Sequence, residues 1–144
     1  MHCATRLVKS GDVVYDEDGI MVTWMGMRGD DFSDGKADRF AVILTNQTEN
    51  DYYFAMTRAA INGIGLDLDT NRGSELLESG LSMYTGGSRS WLFGEEDLEI
   101  MNITHANEIY IRIDLFLKEQ SNKYREDEIV RSIQVRFPVD EDIP

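Results

Sequence analysis

The amino-acid sequence predicts an all-β protein, a sandwich of antiparallel sheets. Residues 109–118 carry a large aliphatic side chain at every second position, the pattern of a strand with one face in a core and the other near water. Turn-favouring residues separate about eight short extended segments at intervals of roughly 8–12 residues, as in sandwich folds. Only one stretch has the character of a helix. We therefore expect about seven to nine strands and one short helix near residues 95–101.

The chain length favours a single domain. Its 144 residues are close to the usual size of one domain, and roughly two thirds of the surface of an unfolded chain this long can be buried. The strand and turn signals extend from residue 12 to residue 139. We therefore assign the sandwich domain to residues 12–139, with a flexible N-terminal arm at 1–11 and a tail at 140–144.

The N-terminal half contains four predicted strands bounded by turn residues. They are residues 13–15, 20–27, 39–45 and 52–61. The turn between the first two ends in Gly19, and Asn62-Gly63 follows the fourth; both turns place glycine where a positive φ is needed. Residues 39–45 form a continuous apolar run, which predicts a central strand.

The C-terminal half is predicted to finish the two sheets. Residues 64–68 are expected to return beside the strand 52–61, residues 67–80 to form mainly a loop, and residues 81–93 to form two short strands around Gly86-Gly87. The helix near 95–101 has acidic residues at its start, where the helix dipole favours them. A charged turn at 121–127 separates the strand 109–118 from the last strand, 129–137.

Two rows of side chains are expected to face each other in the core. The first row is Ile109, Ile111, Ile113, Leu115 and Leu117. The second is Ile133, Val135 and Phe137. A slip of one residue in the strand pairing would turn Arg112 and Asp114 into the core. The alternation therefore leaves only the register in which the aliphatic row is buried.

Three segments resemble immunoglobulin-like β-sandwich domains of uncharacterised bacterial proteins, often surface lipoproteins of Gram-positive species. They are Val14-Tyr-Asp-Glu-Asp-Gly-Ile-Met-Val22, Val42-Ile-Leu-Thr-Asn-Gln-Thr48 and Ala60-Ile-Asn-Gly63. The resemblance spans most of the chain and is carried by short motifs at turns. It implies an immunoglobulin-like antiparallel sandwich and no activity, because that family has no assigned catalytic residues.

The charge of the chain argues against two classes of partner. A formal net charge of −13 arises from 27 acidic and 14 basic residues. Such a surface repels nucleic-acid phosphates and anionic lipids, and no apolar run approaches the roughly 20 residues of a membrane-spanning helix. We therefore expect neither nucleic-acid binding nor membrane insertion.

A calcium loop is the metal site that the sequence most nearly resembles. Residues 67–78 place oxygen ligands at loop positions 1, 3, 5, 9 and 12, as a calcium loop requires. However, Arg72 stands at the position where the sharp turn needs glycine, and Gly73 comes one residue late. We predict a solvated loop here and no metal site, with calcium binding as the alternative.

Catalytic motifs are not evident in the sequence. The single cysteine, Cys3, and the two histidines, His2 and His105, lack zinc-ligand spacing. No serine lies in a Gly-x-Ser-x-Gly turn, and no glycine-rich segment continues as a phosphate loop. A Ser-His-Asp arrangement around His105 stays open, as does a pair of catalytic carboxylates. We predict no catalytic residue and no cofactor.

Two aromatic side chains are the candidate interaction surface. Tyr110 and Phe116 share the strand face opposite the aliphatic row, and exposed aromatic residues on a sheet commonly mark a binding surface. Trp24 and Trp91 are instead expected in the core, since large aromatic residues are mostly buried.

These observations favour a non-catalytic module of a bacterial protein that binds a protein partner or itself, or serves as a structural spacer. The alternatives are a glycan- or calcium-binding module and a carboxylate-based hydrolase. The compartment stays open: the cell envelope or the extracellular space if a signal sequence was removed, and the cytoplasm otherwise.

Overall fold

Two β-sheets packed against each other form the protein, as the sequence predicts. The computed structural model describes residues 1–29, 37, 39–68, 74–86, 98, 101–119 and 126–143. The strands are β1 (His2–Cys3), β2 (Val13–Glu17), β3 (Ile20–Arg28), β4 (Arg39–Asn46), β5 (Tyr52–Ile61), β6 (Ile64–Gly65), β7 (Glu75–Leu77), β8 (Ser82–Tyr84), β9 (His105–Phe116) and β10 (Ile129–Asp142). A 3₁₀ turn at Glu126–Glu128 precedes β10.

The larger sheet has six strands and the smaller sheet has four. The larger follows the order β1-β10-β9-β5-β6, with β7 also pairing with β5, and the smaller follows the order β2-β3-β4-β8. All pairs are antiparallel except β1 with β10. The described residues form ten strands in two sheets, eight of them longer than two residues. The prediction of an all-β sandwich is therefore confirmed.

The core lies between the sheets and contains the two predicted rows. Ile113 is paired with Ile133, and Ile111 with Val135, and each of these side chains is at most 1% exposed. Trp24 of the smaller sheet packs against the larger sheet in this core. Its ring centroid lies 5.2 Å from that of Phe137. Its placement in the core is confirmed, whereas Trp91 lies outside the described residues.

One member of the predicted aliphatic row was placed wrongly. Leu117 is 57% exposed, whereas Leu115 is 2% exposed. Strand β9 ends at Phe116, so Leu117 lies beyond the end of the strand and its side chain is largely exposed. Alternation indicates which face a residue occupies within a strand but does not show where the strand ends.

Both termini are more closely attached to the sheet than the predicted flexible arm and tail. The amide of Ala4 donates to the carbonyl of Arg136 over 3.0 Å, and the amide of Val8 to that of Pro138 over 2.9 Å. Val8 is 6% exposed, and β10 continues through residue 142. Residues 2–8 therefore lie along β10, and the amide of Gly11 donates to the carbonyl of Trp24 on β3 over 2.7 Å. The side-chain pattern does not predict these backbone hydrogen bonds.

The predicted helix near residues 95–101 falls mostly outside the described residues, as does the second strand expected within residues 81–93. At residues 98–103 the amide of Ile103 donates to the carbonyl of Leu98 over 2.9 Å, and Asn102 has a φ of 55°. A hydrogen bond of this span over a left-handed residue is the arrangement that commonly closes a helix. The helix itself stays a prediction.

Replacement of Ile113 by alanine tests the core assignment. Because Ile113 is 1% exposed and sits between β10 and β5, Ile113→Ala should reduce the free energy of unfolding by roughly 2–5 kcal/mol through the cavity left behind. Leu117→Ala is the matched control, since an exposed position should change it by only about 0.5 kcal/mol. Denaturant titration measures both. Equal losses for the two variants would contradict the assignment.

Candidate functional site

Tyr110 lies on the outer face of the larger sheet, as its position in the alternation predicts. It is partly buried, and its hydroxyl donates to Gln134 Oε1 over 2.7 Å. The guanidinium carbon of Arg136 lies 5.6 Å from the ring centroid, a cation–π distance. Neighbours on β10 therefore hold the ring in one position.

Phe116 does not belong to an open surface, and this part of the prediction was wrong. Its side chain is 1% exposed within the single chain, so it offers no area to a partner. The alternation of β9 correctly separates Phe116 from the aliphatic row, but a strand pattern carries no information about what else covers the outer face. The same end of that face also buries Asp114, which is 0% exposed.

Asp114 is the centre of a polar cluster that links three strands. Its Oδ1 accepts a hydrogen bond from Ser132 Oγ of β10 over 2.6 Å and another from Arg112 Nε over 3.0 Å. Its Oδ2 accepts from Thr57 Oγ1 of β5 over 2.8 Å. The buried charge is thus paired and hydrogen-bonded, as a buried carboxylate requires. The sequence places Asp114 on the outer face, and nothing in the pattern indicates that it is buried.

A cavity of about 550 Å³ opens further along the same face, between β5, Tyr110 and the segment after β6. Arg58, Ala60, Leu66, Asp67 and Leu68 are among its lining residues. Arg58 comes directly after the residue that bulges out of the pairing between β5 and β9. Bulges of this kind commonly redirect a side chain next to a binding site.

His105 is engaged by two carboxylates, one at each ring nitrogen. Nε2 lies 2.7 Å from Asp140 Oδ1, and Nδ1 lies 2.9 Å from Asp142 Oδ1. The hydrogen bond with Asp142 raises the pKa of His105 above its ordinary value, desolvation opposes the shift, and Asp140 raises the pKa further. With both nitrogens occupied, the ring has none left to accept a proton from a serine, so this geometry does not favour a Ser-His-Asp arrangement.

In the part of the chain that the structure describes, the smaller sheet exposes a face with few charged side chains. Its central row runs across all four strands and consists of Val13, Thr23, Ile43 and Tyr84. The next row consists of Asp16, Met21, Thr45 and Ser82. Val13 and Tyr84 are each 50% exposed. We call these eight residues the neutral face, because Asp16 at the edge is its only charged member.

The neutral face is a feature that the sequence pattern does not reveal by itself. The outward positions of residues 20–27 carry methionine and threonine, an uncharged series in a chain with 28% charged residues. This uncharged series was the only indication of the neutral face that the sequence contained. Its meaning depends on the neighbouring strands, and the pairing of β2, β4 and β8 with β3 cannot be deduced from the series itself.

The metal and membrane predictions can be compared with only part of the chain. Within the described residues, no group of three or more histidine, cysteine, aspartate or glutamate side chains is arranged to hold a metal ion. The predicted calcium alternative involves residues 67–78, of which 69–73 lie outside the description, so the loop stays a prediction. No helix in the described part is sufficiently long and apolar to cross a membrane.

The histidine contacts predict a decrease in stability with rising pH. The folded chain binds the His105 proton more tightly than the unfolded chain, because the pKa is raised on folding. The stabilisation of the fold by protonated His105 is therefore complete below the unfolded pKa of about 6.5. It is lost as the pH rises through the higher pKa of the folded chain. Denaturant titrations from about pH 5 to 9 should show this decrease.

His105→Gln should flatten the pH profile over this range, since glutamine does not titrate. His2→Gln is the control, because it removes the other histidine and leaves the contacts with Asp140 and Asp142 in place. The same profile in wild type and His105→Gln would contradict the assignment.

Comparison with known proteins leaves the family of this chain open. No protein-family model, no curated protein and no solved structure matches the sequence or the fold.

Proposed function

We propose that the chain is a non-catalytic β-sandwich module that associates with a second copy of itself through the neutral face. The observation that carries this proposal is the exposure of a four-strand surface with one charged member, Asp16, on a chain with a net charge of −13. Val13 and Tyr84 are each half exposed there. Thr23 and Ile43 continue the row between these two side chains, and a contiguous apolar surface of this kind marks a contact site.

Electrostatics favours this face over the other for self-association. Two copies with the same strong negative charge repel each other unless the surfaces that meet exclude their acidic groups. The outer face of the larger sheet carries charged side chains, including Arg58, Glu108 and Arg136. The neutral face has one carboxylate, Asp16, and it lies at the edge strand. A contact centred on the row Val13-Thr23-Ile43-Tyr84 would leave Asp16 at the rim of the contact, near solvent.

The central row also suggests how the two copies fit. A two-fold axis running along the strands between β3 and β4 would place Tyr84 of one copy over Val13 of the other. Because neighbouring strands are about 4.8 Å apart, the two residues are separated by roughly 14 Å within one sheet. The large ring then meets a small side chain at both ends, which gives an isologous contact. A two-fold axis across the strands would instead place Tyr84 over Tyr84.

The size of the patch makes the contact weak. Four strands span about 14 Å, and the two rows of the neutral face lie roughly 7 Å apart along the strands. The flat area of about 100 Å² that they enclose is well below the roughly 800 Å² per partner of a standard interface. Reversible association at high concentration is therefore expected. Such contacts gain effect when several modules are held near one another, which suits a structural role in an assembly.

The resemblance of three segments to immunoglobulin-like domains of bacterial surface proteins supports the same proposal. We propose membership of that group on the motifs at 14–22, 42–48 and 60–63, and the sandwich architecture is in keeping with it. A domain of this kind acts through its surface, and in the described residues the core between the sheets consists mainly of apolar side chains.

Two valines of equal exposure provide a matched test of the contact surface. Val13 is 50% exposed on the neutral face, and Val130 is 51% exposed on β10. Sedimentation of the wild-type chain at rising concentration should show a monomer–dimer equilibrium that added salt strengthens by screening the net charge. Val13→Glu should shift the equilibrium toward monomer at least tenfold, because a carboxylate would be desolvated in the contact. Val130→Glu should leave it unchanged.

The wild-type chain remaining monomeric at millimolar concentration would overturn the proposal. So would an equal shift by both valine variants, because the contact would then lie elsewhere or depend only on net charge. Thermal unfolding of each variant shows that the fold is retained, since both positions are exposed.

A charge pair tests the two-fold arrangement separately. Val13→Glu and Tyr84→Lys should each weaken the dimer. The double variant should restore it, because the carboxylate introduced at position 13 of one copy would then face the ammonium introduced at position 84 of the other. With the axis across the strands, like charges would meet and the double variant would be the weakest of all. That result would reject the arrangement and leave the neutral face as the contact surface.

A further inference from the structure

We propose that the cavity beside Arg58 binds a monocarboxylate attached to an apolar group. The cavity of about 550 Å³ is within the usual range for small-ligand sites, roughly 300–1,000 Å³. It lies on the larger sheet and is therefore independent of the neutral face. Failure of one proposal leaves the other intact.

The walls of the cavity are built from the edge of β5 and the chain that follows β6. The amide of Leu66 donates to the carbonyl of Ala59 over 2.9 Å, which fixes the outer wall to the strand. A Cβ placed on Gly63 or Gly65 would have no neighbour within 4 Å. No side chain narrows the entrance at these two positions, so an extended ligand has room beside the backbone.

Arg58 supplies the positive charge of the site. It is exposed to the cavity, and among the described residues it has no hydrogen bond or ion pair. Its cross-strand neighbour is Arg112, whose Nε is bound to Asp114 over 3.0 Å. Two cations at directly paired positions destabilise a sheet, and an anion bound at Arg58 would offset that repulsion. A guanidinium binds carboxylates through two parallel hydrogen bonds.

The remaining lining residues select the rest of the ligand. Ala60, Leu66 and Leu68 present apolar surface, and the ring of Tyr110 is held in place by its neighbours on β10. Asp67 also lines the cavity, so the lining that the structure describes holds one cation and one carboxylate, and repulsion from Asp67 grows with each negative charge of the ligand. The site therefore fits a single carboxylate with an aliphatic body better than a dicarboxylate or a phosphate.

The probe is N-acetyl-leucine, with N-acetyl-leucinamide as the uncharged control. Titration followed by amide chemical shifts should give saturable changes at Gly63, Gly65 and Tyr110 with a dissociation constant on the order of 1 mM, as expected for a ligand of this size. The amide should bind at least tenfold more weakly. Equal shifts with acid and amide would overturn the proposal.

Two substitutions of exposed cations complete the test. Arg58→Gln should weaken N-acetyl-leucine binding at least tenfold, whereas Lys9→Gln, which removes an exposed charge on the N-terminal segment, should not change it. Unchanged binding in Arg58→Gln would overturn the site.

The source of the carboxylate is distinguished by acetyl-Ala-Ala-Leu. Tighter binding of this peptide than of N-acetyl-leucine identifies a peptide C-terminus as the ligand. Equal binding identifies a small free acid, and either result supports the site.

Discussion

The buried carboxylate of Asp114 is the constraint on which the larger sheet depends. The aliphatic side chains of β9 repeat every second residue, so a slip of two positions would keep them all facing the core. Such a slip would separate Asp114 from Thr57 on β5 and Ser132 on β10, which lie 2.8 and 2.6 Å away. An unpaired buried charge costs several kcal/mol. Hydrophobic alternation therefore selects the face, and the Asp114 cluster selects the register.

The two sheets divide the chemistry of the surface between them. Among the residues that the structure describes, arginine and acidic side chains occupy the outer face of the larger sheet, and the neutral face of the smaller sheet has Asp16 as its one charged side chain. The neutral face also contributes to the fold, because Thr45 and Ser82 are hydrogen-bonded to each other across β4 and β8 over 2.9 Å and β-branched side chains favour strands. Its exposure on an acidic chain is the basis of the proposed contact.

Local patterns predicted the parts of the fold that local physics determines. The alternation at 109–116 and the left-handed turn at Asn62, with a φ of 54°, were both evident in the sequence. The parallel pairing of β1, the burial of Asp114 and Phe116, and the continuity of the neutral face all depend on strands distant in the chain. Leu117 shows the same limit of local patterns. It continues the aliphatic alternation of β9, but the strand ends before it, so its side chain is exposed.

The parallel pairing of β1 with β10 has a mechanical consequence. His2 is paired with Val135 and Cys3 with Arg136, and the bonds from Ala4 and Val8 continue along the same strand. Tension that pulls the N-terminal segment and β10 apart along the chain acts parallel to both strands. The hydrogen bonds between them are then sheared together and do not open one after another. A domain loaded in this direction resists extension, a property that suits a spacer held under tension between two attachment points.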